Sequence, residues 1–381
     1  MTPFRLAILI ISLMLGATAL AQSQPLPVPD PPRLGAQGYI LTDFHSGRVL
    51  VGENADVRRD PASITKVMTA FVVFNELRSG DLTLDEEVTI SEKAWRAAGS
   101  RMFIEVGKRI AVRDLLRGMI IQSGNDASIA LAEHIAGSES TFAALMNQYA
   151  DELGMSNTHY TNATGLPGDD HYSSAADTAT LVRALIERFP DYYDYYSERQ
   201  YTWAGITQRN RNRMLWQDDS VDGVKTGYTE AAQYCLATSA ERDGMRLISV
   251  VMGAETPEAR VDQSKSLLNY GYRFFETHRL YAADETIDEP RLWKGQSDSL
   301  PAGVAEDIFL TLPTDTYEQL EARITLERPL LAPVSEGQRI GRLSVALDGE
   351  VLHEQDVIAL ESVSEAGFVG RSIDSVRLWL N

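Results

Sequence analysis

Three short runs of this chain carry side chains able to attack and release an acyl group: Ser63-Ile64-Thr65-Lys66, Ser123-Gly124-Asn125 and Lys225-Thr226-Gly227. Together they hold a nucleophilic hydroxyl, two amines that could serve as bases, a second hydroxyl, an amide, and a glycine beside a hydroxyl. Ser63 and Lys66 stand three residues apart, which on a helix places them on one face with the amine in reach of the hydroxyl. A serine in a first helical turn also lies beside outward-pointing backbone N–H groups, where a developing oxyanion can meet them. To accept a proton Lys66 must be uncharged, although a free lysine has a pKa of about 10.4. Burial and a second ammonium, with Lys225 the candidate, would bring it down. Ser123 could relay a proton to a leaving amine, and Asn125 could hydrogen-bond Lys66 and a substrate amide. Lys225 and Thr226 could hold a substrate carboxylate, and Gly227 would let a peptide lie close along a strand edge. Each run alone has a plainer explanation, such as a helix cap at Ser63 or Asn125. All three in this order, each suitably placed in the local pattern, point to one serine-nucleophile site.

The elements that must position these residues follow from periodicity and turn signals. Gly38–Asp43 and 48–52 read as two strands joined at His45-Ser46-Gly47. Pro61 and Ala62 lead into a helical pattern over about 63–77 that stops near Gly80. Residues 81–200 are mainly helical in pattern, with helices expected at about 111–121, 126–136 and 175–188, and Ser123-Gly124-Asn125 in the turn between the first two. Strands return at 224–227, 234–239 and 246–252, the last two forming a hairpin across Asp243-Gly244, and a helix over about 257–275 closes the domain. This order predicts an α+β fold: an antiparallel sheet flanked by helices, with an inserted helical lobe, over residues 36–276. Beyond it, short apolar runs punctuated by turns predict a small all-β domain over 283–362, with the boundary near 276–283.

Composition narrows the classes further. The chain has 381 residues, 44% of them hydrophobic and 23% charged, as expected of a folded protein of two or three domains. Its formal net charge of -19 repels nucleic acid, which is set aside as a partner. The six lysines include Lys66 and Lys225, so lysine is scarce outside the candidate site. The six histidines have no metal-ligand spacing; no metal site and no cofactor is expected. Cys235 is the single cysteine and sits in an apolar run, as a buried small hydrophobe would. Arg209, Arg211 and Arg213 alternate as on a solvated strand face. At the N-terminus, Arg5 precedes an apolar run from Leu6 to Leu15, and Ala19-Leu20-Ala21 offers a cleavage pattern: a secretory signal peptide over 1–21, followed by a stiff Pro-rich leader over 22–35. At the C-terminus, Val369, Ile373, Val376 and Leu380 fall at helical spacing with Trp379 beside them, an amphipathic helix over 368–381 suited to a membrane interface or to packing on the β domain.

With these motifs assembled, the chain resembles the serine penicillin-recognising enzymes, and among them the low-molecular-mass penicillin-binding proteins that are D-alanyl-D-alanine carboxypeptidases. The resemblance runs over about residues 33–381. It rests on the Pro61–Ala70 segment, on Gln122-Ser123-Gly124-Asn125-Asp126-Ala127, on Val221-Asp222-Gly223-Val224-Lys225-Thr226-Gly227, and on Gly165-Leu166 with His171-Tyr172-Ser173-Ser174-Ala175. It implies acylation of Ser63 by a peptidoglycan stem pentapeptide, release of the terminal D-alanine, and hydrolysis of the acyl-enzyme, with β-lactams acylating the same serine. It implies an oxyanion hole from the N–H groups of Ser63 and Tyr228, where relatives often have histidine in place of Tyr228. It also implies an exported, periplasmic enzyme held on the outer face of the inner membrane by the C-terminal helix. A serine β-lactamase shares the three motifs, but the Glu-x-x-Leu-Asn sequence of its commonest type is absent between Ser123 and Lys225. The other alternative is a non-catalytic penicillin-binding sensor.

Overall fold

In the computed structural model, which describes residues 28–380, the long apolar runs of the first domain form one sheet covered on both faces. Its strands lie in the spatial order Val49–Glu53, Gly38–Asp43, Met245–Ala254, Gln233–Arg242, Val221–Thr229, each antiparallel to its neighbour. Every residue of Gly38–Asp43 is buried, as are nine of the ten in Met245–Ala254. Such runs lack the alternation of a half-exposed sheet because both faces are packed. Helix Pro257–Phe274 covers one face with Val261, Leu267 and Leu268. The helical lobe covers the other, the five longest helices being Lys66–Ser79, Val112–Ile121, Asn125–Ala136, Glu139–Glu152 and Ala175–Arg188. The α+β architecture expected from the sequence is the one observed.

Lys66–Ser79 is the pivot of the lobe. Val67, Met68, Phe71, Val72, Val73 and Phe74 are fully enclosed, so the helix is apolar on nearly all sides and can only sit in a core. Each such side chain contributes about 1.5–3 kcal/mol on burial. The helix ends at Gly80, whose φ of 84° is the left-handed conformation that terminates helices cheaply only at glycine.

Two expectations change. Ser63 is not in the α-helix: Ala62–Thr65 forms a 3-10 turn and the α-helix begins at Lys66. In the tighter turn, residues three apart eclipse, which aligns Ser63 and Lys66 more directly than α-helical spacing does. The stretch read as the domain boundary, 276–283, is largely strand: Phe275–Tyr281 continues directly from the closing helix and pairs with Ile308–Pro313. Leu280 and Tyr281 pack on the core of the small domain. The polar residues of Phe275–Tyr281 masked that strand in the sequence. The small domain also holds a sheet in the order Ala302–Gly303, Glu350–Ala359, Arg339–Leu347, Leu320–Leu326. Buried Asp43 ties the domains together, accepting from the Ser46 N–H at 2.7 Å and from the Thr277 hydroxyl at 2.7 Å.

Helix Phe368–Leu380 lies on the small domain with Asp374 as its one buried residue, and Leu378 on the same face borders a cavity with Pro290 and Trp293. Asp374 is buried and accepts from the Lys294 N–H at 2.7 Å. The opposite stripe is bare: Phe368 is 80% exposed and Trp379 84%, with Val369, Ile373, Val376 and Leu380 also open to solvent. No helix among the described residues is long and apolar enough to cross a membrane. The expected signal peptide over 1–21 and residues 22–27 of the leader lie outside the described residues.

Candidate active site

The site forms where the Ser63 turn meets the sheet edge. Val221–Thr229 is the last strand of the sheet, so its outer edge has no strand partner and faces the turn. A Cβ at Gly227 would stand 3.0 Å from Ala62 Cβ, 3.0 Å from the Pro61 carbonyl oxygen and 3.2 Å from the Ser63 nitrogen. The sequence suggested that this glycine makes room for a substrate; the structure adds that it makes room for the Ser63 turn itself. On the other side, a Cβ at Gly165 would fall 1.8 Å from the Ala62 carbonyl oxygen, and its φ of 80° already requires glycine. Ala62 itself has a φ of 47°, a strained conformation beside Ser63.

Lys66 is 1% exposed, and its surroundings define what its amine can do. Nζ lies 2.7 Å from Asn125 Oδ1, 2.5 Å from the Thr164 carbonyl oxygen and 3.2 Å from Ser63 Oγ. An ammonium donates to all three. A neutral amine has two N–H bonds and one lone pair. The two carbonyl oxygens take both N–H bonds, and the lone pair is left facing the Ser63 hydroxyl. Burial lowers the Lys66 pKa to about 7; Asp126 and Glu139 oppose the shift, and Arg211 adds to it. The second ammonium proposed from the sequence, Lys225, is not what depresses Lys66. Lys225 is itself pushed well below its ordinary value, by burial first and then by Lys66, Arg211 and Arg260.

The remaining predicted residues converge on the same cleft. A cavity of about 220 Å³ is bounded by Ser63, Ser123, Thr226, Gly227 and Tyr228, with Arg211 and Arg260 at its rim. Ser123 is buried at a φ of 67°, and among the described residues its Oγ has no hydrogen-bond partner. A strained backbone and an orphan hydroxyl together cost a few kcal/mol, and such features collect where a function over-determines them. Asn125 presents its oxygen to Lys66 and donates from Nδ2 to the Ala98 carbonyl at 2.7 Å, so the amide is fixed at both ends. Lys225 is buried, donates to the Thr226 carbonyl at 3.2 Å and lies within electrostatic reach of Lys66, Arg211 and Arg260. Tyr228 projects half-exposed from the rim, its ring stacked on Tyr234 at 4.4 Å. Among the described residues no group of His, Cys, Asp and Glu is arranged to hold a metal ion.

Several residues of the site escaped sequence reasoning. Thr164 contributes through its backbone carbonyl. Asn162 Oδ1 holds that residue by accepting from the Thr164 N–H at 3.0 Å and the Gly165 N–H at 2.8 Å. His171 Nδ1 accepts from the Thr161 N–H at 3.0 Å, which makes Nε2 the donor to Thr65 Oγ1 at 2.9 Å. Burial drives the His171 pKa down to about 4, so the ring stays neutral and works as a fixed brace. Buried Asp126 accepts from the N–H groups of Met102, Phe103 and Ile104 and anchors the neighbouring loop. Arg211 corrects an expectation: it is not on a solvated strand face but reaches the cleft, tied by its Nε–H to the Gln122 carbonyl at 3.1 Å. The only sequence signals were the His171–Ala175 run, Gly165-Leu166 and the Arg-x-Arg-x-Arg alternation, none of which names an atom.

Known proteins are similar to this one over most of the chain. Residues 26–256 match the family described as D-alanyl-D-alanine carboxypeptidase, and residues 275–365 match the penicillin-binding protein 5 C-terminal domain. The D-alanyl-D-alanine carboxypeptidase DacA of Escherichia coli (strain K12) is 42% identical over 360 residues, covering 92% of this chain and 89% of the relative. The solved structure of penicillin binding protein 5 from Haemophilus influenzae superposes with a TM-score of 0.84 at 40% identity, covering 88% of this chain and all of that one. Penicillin-binding protein D2 from Listeria monocytogenes, in its ampicillin-bound form, superposes with a TM-score of 0.59 at 32% identity over 64% of this chain and 100% of that one. Motif order, cleft geometry and similarity along nearly the whole length agree: the chain belongs to the D-alanyl-D-alanine carboxypeptidase family of low-molecular-mass penicillin-binding proteins.

Proposed function

We propose that this protein is a serine-type D-alanyl-D-alanine carboxypeptidase that removes the terminal D-alanine from peptidoglycan stem pentapeptides through an acyl-enzyme on Ser63. The observation that carries the reading is the Lys66 amine, enclosed, with both N–H bonds committed to carbonyls and its lone pair facing Ser63 Oγ at 3.2 Å. Lys66 takes the Ser63 proton as Oγ attacks the carbonyl of the penultimate D-alanine. Negative charge on the carbonyl oxygen meets the N–H groups of Ser63 and Tyr228, the pair that the family resemblance assigns. Removing one such donor typically costs about 2.7–4 kcal/mol. The C–N bond then breaks, and the D-alanine nitrogen receives the proton from Lys66 by way of Ser123. Water hydrolyses the ester by the same proton path in reverse, returning Ser63. The terminal carboxylate lies toward Thr226 and Arg260, which borders the cleft. A carboxylate arriving there restores the charge that burial and neighbouring cations disfavour on Lys225. β-Lactams acylate Ser63 by the same route, as the ampicillin-bound relative suggests. The test is release of D-alanine from diacetyl-L-Lys-D-Ala-D-Ala, lost when Ser63 is replaced. Efficient turnover of benzylpenicillin with no D-alanine release would assign the site to a β-lactamase instead.

Ser123→Ala separates chemistry from stability. Acylation by benzylpenicillin is expected to fall about 100-fold, the scale of a lost proton-transfer group. The melting temperature is expected to hold or rise, because the deleted hydroxyl is a buried group with no partner among the described residues. A variant that melts earlier yet acylates normally would make Ser123 structural.

The reading extends to location. The chain is proposed to be exported by the signal peptide over 1–21 and to act in the periplasm, resting on the outer face of the inner membrane through Phe368–Leu380. The bare apolar stripe of that helix supports this, with Asp374 fastening its other face to the small domain. A chain cut after residue 367 is expected to stay with the soluble fraction in vesicle flotation and to release D-alanine at the full-length rate. Full-length mature protein that fails to float with vesicles would overturn the membrane assignment.

A further inference from the structure

The Thr164 carbonyl is one of the two acceptors that orient the Lys66 amine, yet it stands in a stretch, residues 161–170, that is neither helix nor strand. No ladder of backbone hydrogen bonds aims a carbonyl in such a stretch, so a side chain has to. That side chain is Asn162. Its Oδ1 accepts from the Thr164 N–H at 3.0 Å, the Thr164 hydroxyl at 2.8 Å and the Gly165 N–H at 2.8 Å. Its Nδ2 donates to the Leu166 carbonyl at 3.0 Å and lies 3.4 Å from His171 Nδ1.

The Gly165 N–H is the contact that matters. It belongs to the same planar peptide unit as the Thr164 carbonyl, and in a trans unit the two point in opposite directions. Asn162 therefore holds one end of the unit, while Lys66 Nζ stands 2.5 Å from the oxygen at the other. Gly165, at a φ of 80°, has no side chain to resist rotation of that unit. Neighbouring contacts hold other parts of the loop. Thr69 Oγ1 donates to the Ala163 carbonyl at 2.8 Å, the Ala163 N–H donates to Glu139 Oε1 at 3.1 Å, and His171 Nδ1 accepts from the Thr161 N–H. None of these reaches the peptide unit between Thr164 and Gly165. Asn162 does not border the Ser63 cleft, so any influence it has on the chemistry passes through the Thr164 carbonyl.

We propose that Asn162 is a positioning residue for acyl transfer: by holding the Gly165 N–H it aims the Thr164 carbonyl at Lys66 and so keeps the lone pair of the amine on Ser63 Oγ. The assignment rests on the acyl-transfer reading of Ser63 and adds no bond change to it. With the carbonyl aimed, both N–H bonds of the neutral amine are taken, by Thr164 and Asn125, and the amine does not turn about its own C–N bond. With the carbonyl released, Asn125 alone holds it. The lone pair then spends part of its time away from the Ser63 proton, and fewer encounters with a substrate are productive.

The test follows acylation by benzylpenicillin in the wild type, Asn162→Ala and Asn162→Asp, at rising concentrations so that the limiting rate separates from the saturation constant, and repeats it across pH. Asn162→Ala is expected to lower the limiting rate about tenfold, within the loss of about 100-fold that a misplaced reacting group produces. The saturation constant should be unchanged. The acid limb should move to lower pH, because the Lys66 ammonium loses an acceptor. Asn162→Asp keeps an oxygen for the Gly165 N–H and should keep most of the limiting rate, while its added negative charge moves the acid limb to higher pH. Asp126, Glu139, Arg211 and Lys225, the other charged or titratable groups around Lys66, are the same in both variants, so opposite shifts report residue 162 alone. Normal acylation by Asn162→Ala overturns the assignment. So do equal losses in the two variants with the acid limb unmoved, which would make Asn162 a brace for the loop only. If Asn162→Ala does not fold, Asn162→Asp decides: a retained rate with the limb raised supports the assignment, and a lost rate or an unmoved limb overturns it. A wild-type chain that forms no adduct on Ser63 overturns the acyl-transfer reading and this assignment with it.

Discussion

Ser63→Ala is expected to abolish D-alanine release from diacetyl-L-Lys-D-Ala-D-Ala, with a fall in kcat of about 10⁵–10⁶, the scale seen when a serine nucleophile is deleted from a working site. Intact-mass spectrometry should show one penicilloyl adduct per wild-type chain, mapped to the peptide containing Ser63, and none on the variant. The fold should not suffer. The Oγ contributes one contact, to Lys66 at 3.2 Å, and Lys66 keeps its two shorter bonds to Asn125 and Thr164. A stability change within about 1 kcal/mol is therefore expected. The loss of activity then reports chemistry, not folding. An adduct persisting on Ser123 in the variant would move the nucleophile to the second hydroxyl and overturn the assignment.

The second large effect belongs to Lys66, and the conservative substitution is the informative one. Lys66→Arg keeps the positive charge and hydrogen-bond donors, but a guanidinium does not give up its proton at any pH the protein tolerates. If Lys66 acts as a free base, Lys66→Arg should lose about 10²–10⁴ in acylation rate, as should Lys66→Met. Lys66→Met also strands the Asn125 and Thr164 oxygens, at a cost of about 1–3 kcal/mol for each buried acceptor left unpaired. The pH profile supplies the matching signature. Because burial lowers the Lys66 pKa to about 7, the amine is mostly free above that pH and mostly protonated below it. For the wild type kcat/KM should therefore fall roughly tenfold per unit of pH on the acid side of about 7, a limb that Lys66→Arg lacks because it has no titrating group there. Near-normal acylation by Lys66→Arg would mean that Lys66 serves only as a fixed cation.

The candidate trio of motifs is legible in the sequence because its proposed chemistry lies in side chains of unusual type at fixed spacing. A serine and a lysine three apart after Pro61, a Ser-Gly-Asn between two apolar helical patterns, and a glycine within a strand pattern are each read locally. The α+β order follows equally directly, since the period of apolar residues switches from strand to helix and back, and helix Ala175–Arg188 falls where its periodicity places it. What stayed hidden works through backbone or distance. Thr164 acts by its carbonyl, an atom that every residue carries, so its identity says nothing of its role. Arg211 differs in no local way from Arg209 and Arg213, and only the fold brings it to the cleft rim. Gly227 shows as a glycine that something must approach, but not that the Ser63 turn is what approaches.

By itself, then, the order of residues determined which groups are candidates to react and in what kind of fold, because hydroxyl, amine and amide are side-chain identities, and helix and strand are periodic patterns. The tertiary structure alone decided what lowers the Lys66 pKa. Its pKa depends on being sealed from water between Asn125 and Thr164, residues 59 and 98 positions away along the chain. Desolvation is a property of enclosure, and no local stretch of sequence encloses itself.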